Sequence, residues 1–517
     1  MIGLPALIIT SCTKKLDLLP TNDVTAATVY STPAGYKQAL AKVYGAFATT
    51  GNSGPAGNGD IQGIDEGFSD FLRLFWKAQE LSTDEAVIAW GDIGIQDFHN
   101  MNWSSNNPFL QGLYYRSLYQ ITLVNDFLRQ ATDAQISARG ISGADADAIR
   151  KYRTEARFLR AFQYWVLMDL FGNPPFVTEA TLIGGPPPAQ ITRSALFTYI
   201  ETELKAIDAD LAAPKTNEYG RADQAADWAL LARMYLNAQV YTGTPKWTEA
   251  ATYSKKVIDA GYSLIANYPW LMLADNQQNT SEFIFTINYD GLKTQGYGGT
   301  TFLNHASTGG FSSIMGNGGG WYGTRATKNL PNLFPDYTGA ADKRAQFYTS
   351  GQNLEISDQT QFGDGFAVTK YRNKTRTGGN GQSPDFADID FPLFRLPEMY
   401  LIYAEATLRG AVGGDNNLAL QYINNIRTRA YGNVSGNINI GQLTLNFILD
   451  ERARELYWEG FRRTDLIRYD RFVEGTYLWP WKGGVVGGQA VNAKYKLYPL
   501  PSSDLNVNPN LHQNTGY

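Results

Sequence analysis

The sequence predicts a mostly α-helical protein of stacked helical hairpins, tetratricopeptide-like in pattern, with a loop-rich segment that carries a few short strands. Apolar residues recur at helical spacing through much of residues 33–260 and again from 397 to 470. In those stretches small residues alternate with large aromatics, and loops of moderate length separate them, which suits helices packed in consecutive pairs. The repeats are degenerate, and no strict period of about 34 residues emerges. Between them, from 262 to 395, glycine and asparagine dominate, as in LKTQGYGGTTF and SSIMGNGGGWYGTRATKN. Irregular segments that long in a folded protein are usually functional.

The elements follow in order. The chain opens MIGLPALIITSC, an apolar run ending in small residues and the single cysteine, Cys12, with TKKLD directly after it. This reads as the remnant of a signal peptide (1–11) and a lipid-attachment box. Cys12 is then the first mature residue and carries the acyl chains that anchor it to a membrane. Residues 12–30 read as a tether or as chain laid over the surface. Residues 33–48 read as a helix, with Pro33 near its start and Tyr36, Leu40, Val43, Tyr44 and Phe47 on one face. The loop TTGNSGPAGNGD follows. Residues 82–90 look like a capped turn, with Ser82 or Thr83 placed to meet free amides. Helices are expected at 108–130, 146–171, 193–212, 222–241 and 247–260, the third interval preceded by the linker GGPPPA. In the loop-rich segment only EFIFTINY and GFAVTKY read as strands. Helices return at 397–409, 415–429 and 442–470. In the last, Glu451, Glu455 and Glu459 recur at i+4 and would repel unless Arg452, Arg454, Arg462 and Arg463 compensate, so the set reads as a structural ion network.

Bulk properties narrow the function. With 517 residues the chain is long enough for two intertwined lobes or one large body. Charged residues are 18% of the chain, below the typical quarter or so, and the net charge is −5. No run of Lys or Arg is long enough to follow phosphates, which argues against nucleic acid. One cysteine excludes a disulfide framework. No apolar run reaches the length of about 18 residues that a membrane-spanning helix needs.

Motifs for catalysis are equally sparse. The three histidines, His99, His305 and His512, stand apart, with no HExxH and no close carboxylates, so a zinc site is not expected. Neither a dinucleotide GxGxxG after a strand, nor a Walker loop, nor a GxSxG elbow occurs. A glycoside hydrolase needs two carboxylates across a cleft. Asp60, Asp65, Glu66, Asp84, Glu85 and Asp92 cluster near the first irregular region, but nothing pairs two of them. Structural calcium in the DNQQNTSE stretch (275–282) is a further candidate, in a segment poor in charge.

The aromatic, neutral residues make the better constellation. There are 31 tyrosines and 11 tryptophans. Trp90 lies in AWGD, Trp103 in NMNWSSNN, Tyr297 in QGYGG, and Trp321 and Tyr322 in GGGWYG. Loops rich in Gly, Asn and Ser offer little to bury a ring against. Sugar rings present C–H faces to such platforms and hydroxyls to nearby polar groups. The glycines beside Trp321 and Tyr297 would let a ligand approach closely.

At this point the chain resembles a known group over nearly its whole length. The blocks are the lipid box at Cys12, FLRAFQYWVLMDLFGNPPFVTE (158–179), FPLFRLPEMYLIYAEA (391–406), INNIRTRA (423–430), LDERARELYWEGFRRTDLIRY (449–469) and YKLYPLPSSDLNVNPNLHQNTGY at the C-terminus. They resemble the SusD/RagB family of outer-membrane glycan-capturing lipoproteins of Bacteroidetes. GRADQAADWALLARMYLNAQVYTG (220–243), DGLKTQGYGGTTFL (290–303) and YLWPWKGG (477–484) look most like the family's starch-binding founding member. The resemblance implies about four tetratricopeptide-like helix pairs, an N-terminal helical region (31–261), and a second region (262–517) whose 262–395 segment holds the glycan. It implies no catalysis and no cofactor. It also implies a TonB-dependent SusC-like outer-membrane transporter as partner, over which the lipoprotein sits as a lid. The implied ligand is an α-glucan held by an arc of aromatics at Trp90, Tyr297 and Trp321, with Arg73 and Asp65 beside it. Two positions depart from the pattern, Ile88 in place of a tryptophan and Ile93 or a neighbour in place of an asparagine, and Trp103 could compensate. A different neutral glycan is the alternative ligand. A peptide-binding or adhesive role is a third class.

Overall fold

The computed structural model describes residues 26–51, 54–55 and 59–517. The leader, Cys12 and most of the expected tether lie outside the described residues. The tether's last residues are not extended: Ala26–Val29 form a helical turn, and Tyr30 is buried with its ring 5.0 Å from that of Tyr36.

Among the described residues twelve longer helices carry the fold. α1 spans Pro33–Gly45, with Pro33 in its first turn and Thr32 accepting from the Gly35 N–H. α2 spans Phe71–Glu80 and has no counterpart in the sequence reading. Every residue of α2 is buried, including the polar stripe of Arg73, Lys77 and Glu80 that would face solvent in a surface helix. α3 (Pro108–Gln130) begins as expected, on Asn107, whose side chain accepts from two backbone amides. α4 (Gly143–Leu170) is followed by Gly172 at φ 75°. α5 (Arg193–Ile207), α6 (Gln224–Leu236) and α7 (Trp247–Asp259) follow. The single helix expected at 222–241 is interrupted at Asn237. Its buried side chain donates back to Arg233 O and accepts from Arg468, and a separate turn, Ala238–Thr242, follows.

α8 (Gly299–Ala306), α9 (Leu396–Leu408) and α10 (Asn416–Tyr431) come next. The long helix expected at 442–470 is two: α11 (Leu445–Leu456) and α12 (Arg462–Arg468). The chain breaks between them because Trp458 and Gly460 hold φ of 65° and 83°, and Glu80 of α2 accepts from the Gly460 and Phe461 amides. Helices pack as consecutive pairs, α3 on α4, α4 on α5, α6 on α7 and α9 on α10, and α9 also lies on α7, joining the stack. This is the tetratricopeptide-like layering that the sequence predicts.

Among the described residues six short strands form three antiparallel pairs: β1 (Ala86–Ile88) with β3 (Thr324–Ala326), β2 (Phe283–Ile287) with β6 (Phe391–Arg395), and β4 (Phe347–Tyr348) with β5 (Ala367–Val368). One continuous apolar core runs from Tyr30 to Leu511.

The three glutamates of 451–459 do form a structural ion network, but their partners come mainly from elsewhere. Glu451 meets Arg344, Arg427 and Arg454 at 2.7–2.8 Å. Glu455 meets Arg395, Arg429 and Arg344. Glu459 meets Lys370 and Arg395. Of the four neighbours expected to compensate only Arg454 does so; Arg452 pairs with Asp465, Arg462 with Asp84, and Arg463 donates to the carbonyls of Tyr495 and Lys496.

Candidate functional site

The β1–β3 pairing builds the site. Ala86, Val87 and Ile88 register against Ala326, Arg325 and Thr324, and the Ala89 N–H continues the ladder to Gly323 O at 2.9 Å. Trp90 leaves β1 just where Trp321 approaches β3. The Trp90 indole N–H donates to Trp321 O at 2.9 Å, and the two rings lie 6.3 Å apart at 46°. Gln96 fixes the exit of the strand by donating to the carbonyls of Ile88 and Trp90. Buried His99 accepts from the Ile88 N–H; burial, then the nearby Arg325 charge, push its pKa down to about 3, so it is neutral and free to accept.

Tyr297 extends the arc from Trp321, rings 6.2 Å apart at 62°, and rests on Phe386 at 5.8 Å. Behind Trp321 the His305 ring stacks at 4.9 Å, and His305 O accepts from the Trp321 N–H. Trp90, Trp321 and Tyr297 keep exposed ring surface, and with Asp65, Gly67, Phe68, Arg73 and Asp92 they line an open cleft of about 400 Å³.

Arg73 forms the floor. It sits on α2, whose N-terminus is capped by Asp70; the same carboxylate accepts from the Gly299 N–H at the start of α8. One guanidinium nitrogen of Arg73 donates to both Gly67 O (2.9 Å) and Tyr297 O (2.7 Å), tying two loops together. Its carbon lies 4.5–6.0 Å from the ring centres of Phe68, Phe302, Trp90 and Trp321. The Nε is buried without a protein partner. Burial pulls the pKa of Arg73 down to about 10, opposed by Asp70, Asp92 and Asp65, so it stays charged at neutral pH. An arc of tilted aromatic rings beside a cation, with two exposed carboxylates at the rim, can stack on rings and bond hydroxyls. It holds no nucleophile–base pair.

Five of the residues singled out from sequence, Asp65, Arg73, Trp90, Tyr297 and Trp321, thus come together at one place. Two of the others do not. Trp103 is buried, with Tyr495 and Tyr498 packed on it and its N–H donated to Tyr517 Oη at 2.7 Å. The C-terminal tyrosines cover a ring whose local sequence looks exposed, so Trp103 does not compensate for Ile88. Ile88 is itself fully buried in β1, while Ile93 is exposed. Tyr322, at φ 53°, faces away from its neighbour Trp321 and packs on Phe362 at 5.3 Å, outside the cleft lining.

Some of the flanking glycines serve the protein's own packing, while Gly296 and Gly319 leave open space. A Cβ on Gly323 would come within 2.6 Å of the Trp90 ring, and one on Gly298 within 2.0 Å of Asp70 Cβ. Phe68 has no sequence signal, and the sequence marks Asp92 only as one of the clustered carboxylates and His305 only as an isolated histidine, neither as part of a sugar site. Asp92 stands two residues beyond Trp90, a signal that an alternating chain would put both on one side. In the 275–282 stretch the Asp275 carboxylate accepts from the Arg376 backbone N–H, and the Asn279 amide oxygen accepts from the Arg376 guanidinium, so protein donors already meet both groups. Among the described residues no group of three or more His, Cys, Asp or Glu could hold a metal ion.

Over 556 aligned residues the chain is 35% identical to the starch-binding protein SusD of Bacteroides thetaiotaomicron, covering 98% of this chain and 96% of that one. The chain belongs to the SusD family. The SusD family's own sequence description matches residues 312–517. A SusD-like protein of Formosa agariphila is 26% identical over 434 residues, covering 76% of this chain and 79% of that one. Among solved structures, surface glycan-binding protein A from Bacteroides uniformis superposes with a TM-score of 0.71 at 22% identity, covering 93% and 99% of the two chains. A SusD-like carbohydrate-binding protein from Bacteroides fragilis gives 0.71 at 20%, covering 94% and 100%. These two show the shared fold. As a SusD family member the chain is a non-catalytic carbohydrate-binding lipoprotein of the outer membrane, exposed at the cell surface. No helix among the described residues is long and apolar enough to cross a membrane.

Proposed function

We propose that the protein captures an extracellular α-glucan, starch or a malto-oligosaccharide, in the cleft of Trp90, Trp321 and Tyr297, and passes it to a TonB-dependent SusC-like transporter. The observation that carries the reading is the arc: three consecutive rings turn by 46° and 62° over one buried guanidinium. A curved row of platforms suits a glycan chain that itself curves. Hydroxyls on the ligand's edge reach Asp65, Asp92 and the Arg73 guanidinium. The starch-binding relative at 35% identity supports the choice of α-glucan. In this reading Cys12 carries the lipid anchor, residues 31–261 form the helical scaffold and also supply Asp65, Arg73, Trp90 and Asp92 to the cleft, and 262–517 supply Tyr297 and Trp321. A different neutral glycan of similar bend is the alternative, and the exposed Ile93 beside Asp92 is the local feature that favours it.

Retention of the purified protein on insoluble α-glucan, β-glucan and xylan separates the two. The wild type is expected on α-glucan, and Trp321→Ala or Tyr297→Ala should weaken retention by about tenfold to a hundredfold without unfolding the protein. Unchanged retention in both variants would reject the cleft. Retention on another polysaccharide alone would reject the α-glucan and keep the cleft.

A further inference from the structure

The loop that brings Tyr297 to the cleft has a second surface. At its start Lys293 and Thr294 donate their N–H groups to Asp290 O at 3.1 and 2.9 Å, and the Thr294 hydroxyl accepts from the Asp290 N–H, so the turn is locked. This end of the loop borders two cavities, of about 280 and 330 Å³, that share Tyr219, Asn288 and Thr294. Tyr219 stands between them with more than a third of its surface exposed. Its hydroxyl donates to Asp390 Oδ2 at 2.9 Å, just ahead of β6. Gly220 follows at φ 80°, where any Cβ would come within 2.3 Å of Asn288 Nδ2, so glycine lets the Tyr219 loop close on Asn288. The ring is therefore a fixed platform with solvent on it. Exposed amides of Gln277 and Asn288 and the carboxylates of Asp290 and Asp388 border it.

We propose that this groove is a second glycan-binding subsite, with Tyr219 as its stacking platform, for the same neutral pyranosides as the cleft. It has the same kinds of groups: a held aromatic face, hydroxyl-bonding amides and carboxylates at the rim. One short loop, 290–297, also contributes residues to both, Asp290, Lys293 and Thr294 to the groove and Tyr297 to the cleft. The inference rests on the reading of the protein as a glycan-capturing one. Two sites on one body make the second contact with a polymer intramolecular, so a polysaccharide is retained more strongly than either site would hold an oligosaccharide.

The test is calorimetric titration of the full chain with maltohexaose, or with a hexasaccharide of whichever polysaccharide retains the wild type. Two binding classes per chain are expected. Tyr219→Ala should remove one of them, by about tenfold or more in affinity. Asn288→Ala should weaken that same class while leaving the Tyr219–Asp390 bond in place, and Tyr219→Phe, which keeps the ring, should retain both. Trp321→Ala should leave only the Tyr219 class. A single class in the wild type, lost with Trp321→Ala and unchanged by Tyr219→Ala and Asn288→Ala, overturns the second subsite and leaves the cleft standing. A wild type that binds no glycan at all overturns both.

Discussion

Arg73 and Lys77 lie one turn apart on α2, and their fates differ. Arg73 reaches the cleft, where two carbonyls hold it and two rim carboxylates face it. Lys77 stays below, its ammonium 3.8 Å from the ring centre of Phe109 and between Phe68 and Phe302. No carboxylate among the described residues pairs with it, and burial, then the Arg73 charge, push its pKa well down. A buried cation with only rings around it costs stability. Lys77→Met, similar in shape and uncharged, is expected to stabilise the protein by about 1–3 kcal/mol, read as a rise in denaturant midpoint. A lower midpoint would mean that the rings over Lys77 more than offset its desolvation. Residues of this kind were the least legible in the sequence. Arg73 was found through likeness to a family, and Lys77 through nothing at all. Trp103 shows the converse: Asn and Ser on either side suggest exposure, but the tyrosines that bury it come from the far end of the chain, at Tyr495, Tyr498 and Tyr517, the last of them 414 residues away.

At the level of elements, periodicity placed α3 and α7 almost to the residue, because each has a capped or proline-marked start or a one-sided apolar stripe. It missed α2 and α8, in which every residue is buried, and it ran α11 and α12 together. The break between those two is imposed from outside: Glu80 collects the Gly460 and Phe461 amides, and the Trp76 indole donates to Trp458 O at 3.2 Å. Helical sequence on both sides of the break hides it. Gly460 is the position that cannot change, with φ 83° and only 2.7 Å between an added Cβ and the Phe75 ring. Gly460→Ala should cost about 2–4 kcal/mol by combining backbone strain with a core clash. Thermal unfolding measures this directly. A loss under about 0.5 kcal/mol would show that the break can shift without penalty.

Across the whole molecule, buried acids pull stability in opposite directions with pH. Burial raises the pKa of Glu451, Glu455 and Asp465, but the arginines around them outweigh it and hold all three below the ordinary carboxylate value. Their contribution is full above about pH 4.5 and is lost as the pH falls. Other acids are raised, chiefly by burial: Asp223 to about 6, and Asp390 and Glu85 to about 7. For these the folded state keeps a proton that the unfolded chain releases, so stability declines as pH rises from about 4 to about 7. The melting temperature should therefore peak near pH 5 or so, drop steeply below about 4 and fall gently towards 7. A flat profile from 5 to 8 would show that the raised acids carry no weight. The network itself was visible in the i+4 glutamates, but its cations were not, since Arg344, Lys370 and Arg395 reach it only through tertiary packing. The indole bond between Trp90 and Trp321 joins positions 231 residues apart. A nascent or partly exported chain can hold every one of the arc's rings and still have nowhere to seat a sugar. Capture is thus a property the chain gains late, once its two distant ends of the arc have met, and a quenched or shifted tryptophan emission at that moment would time its arrival.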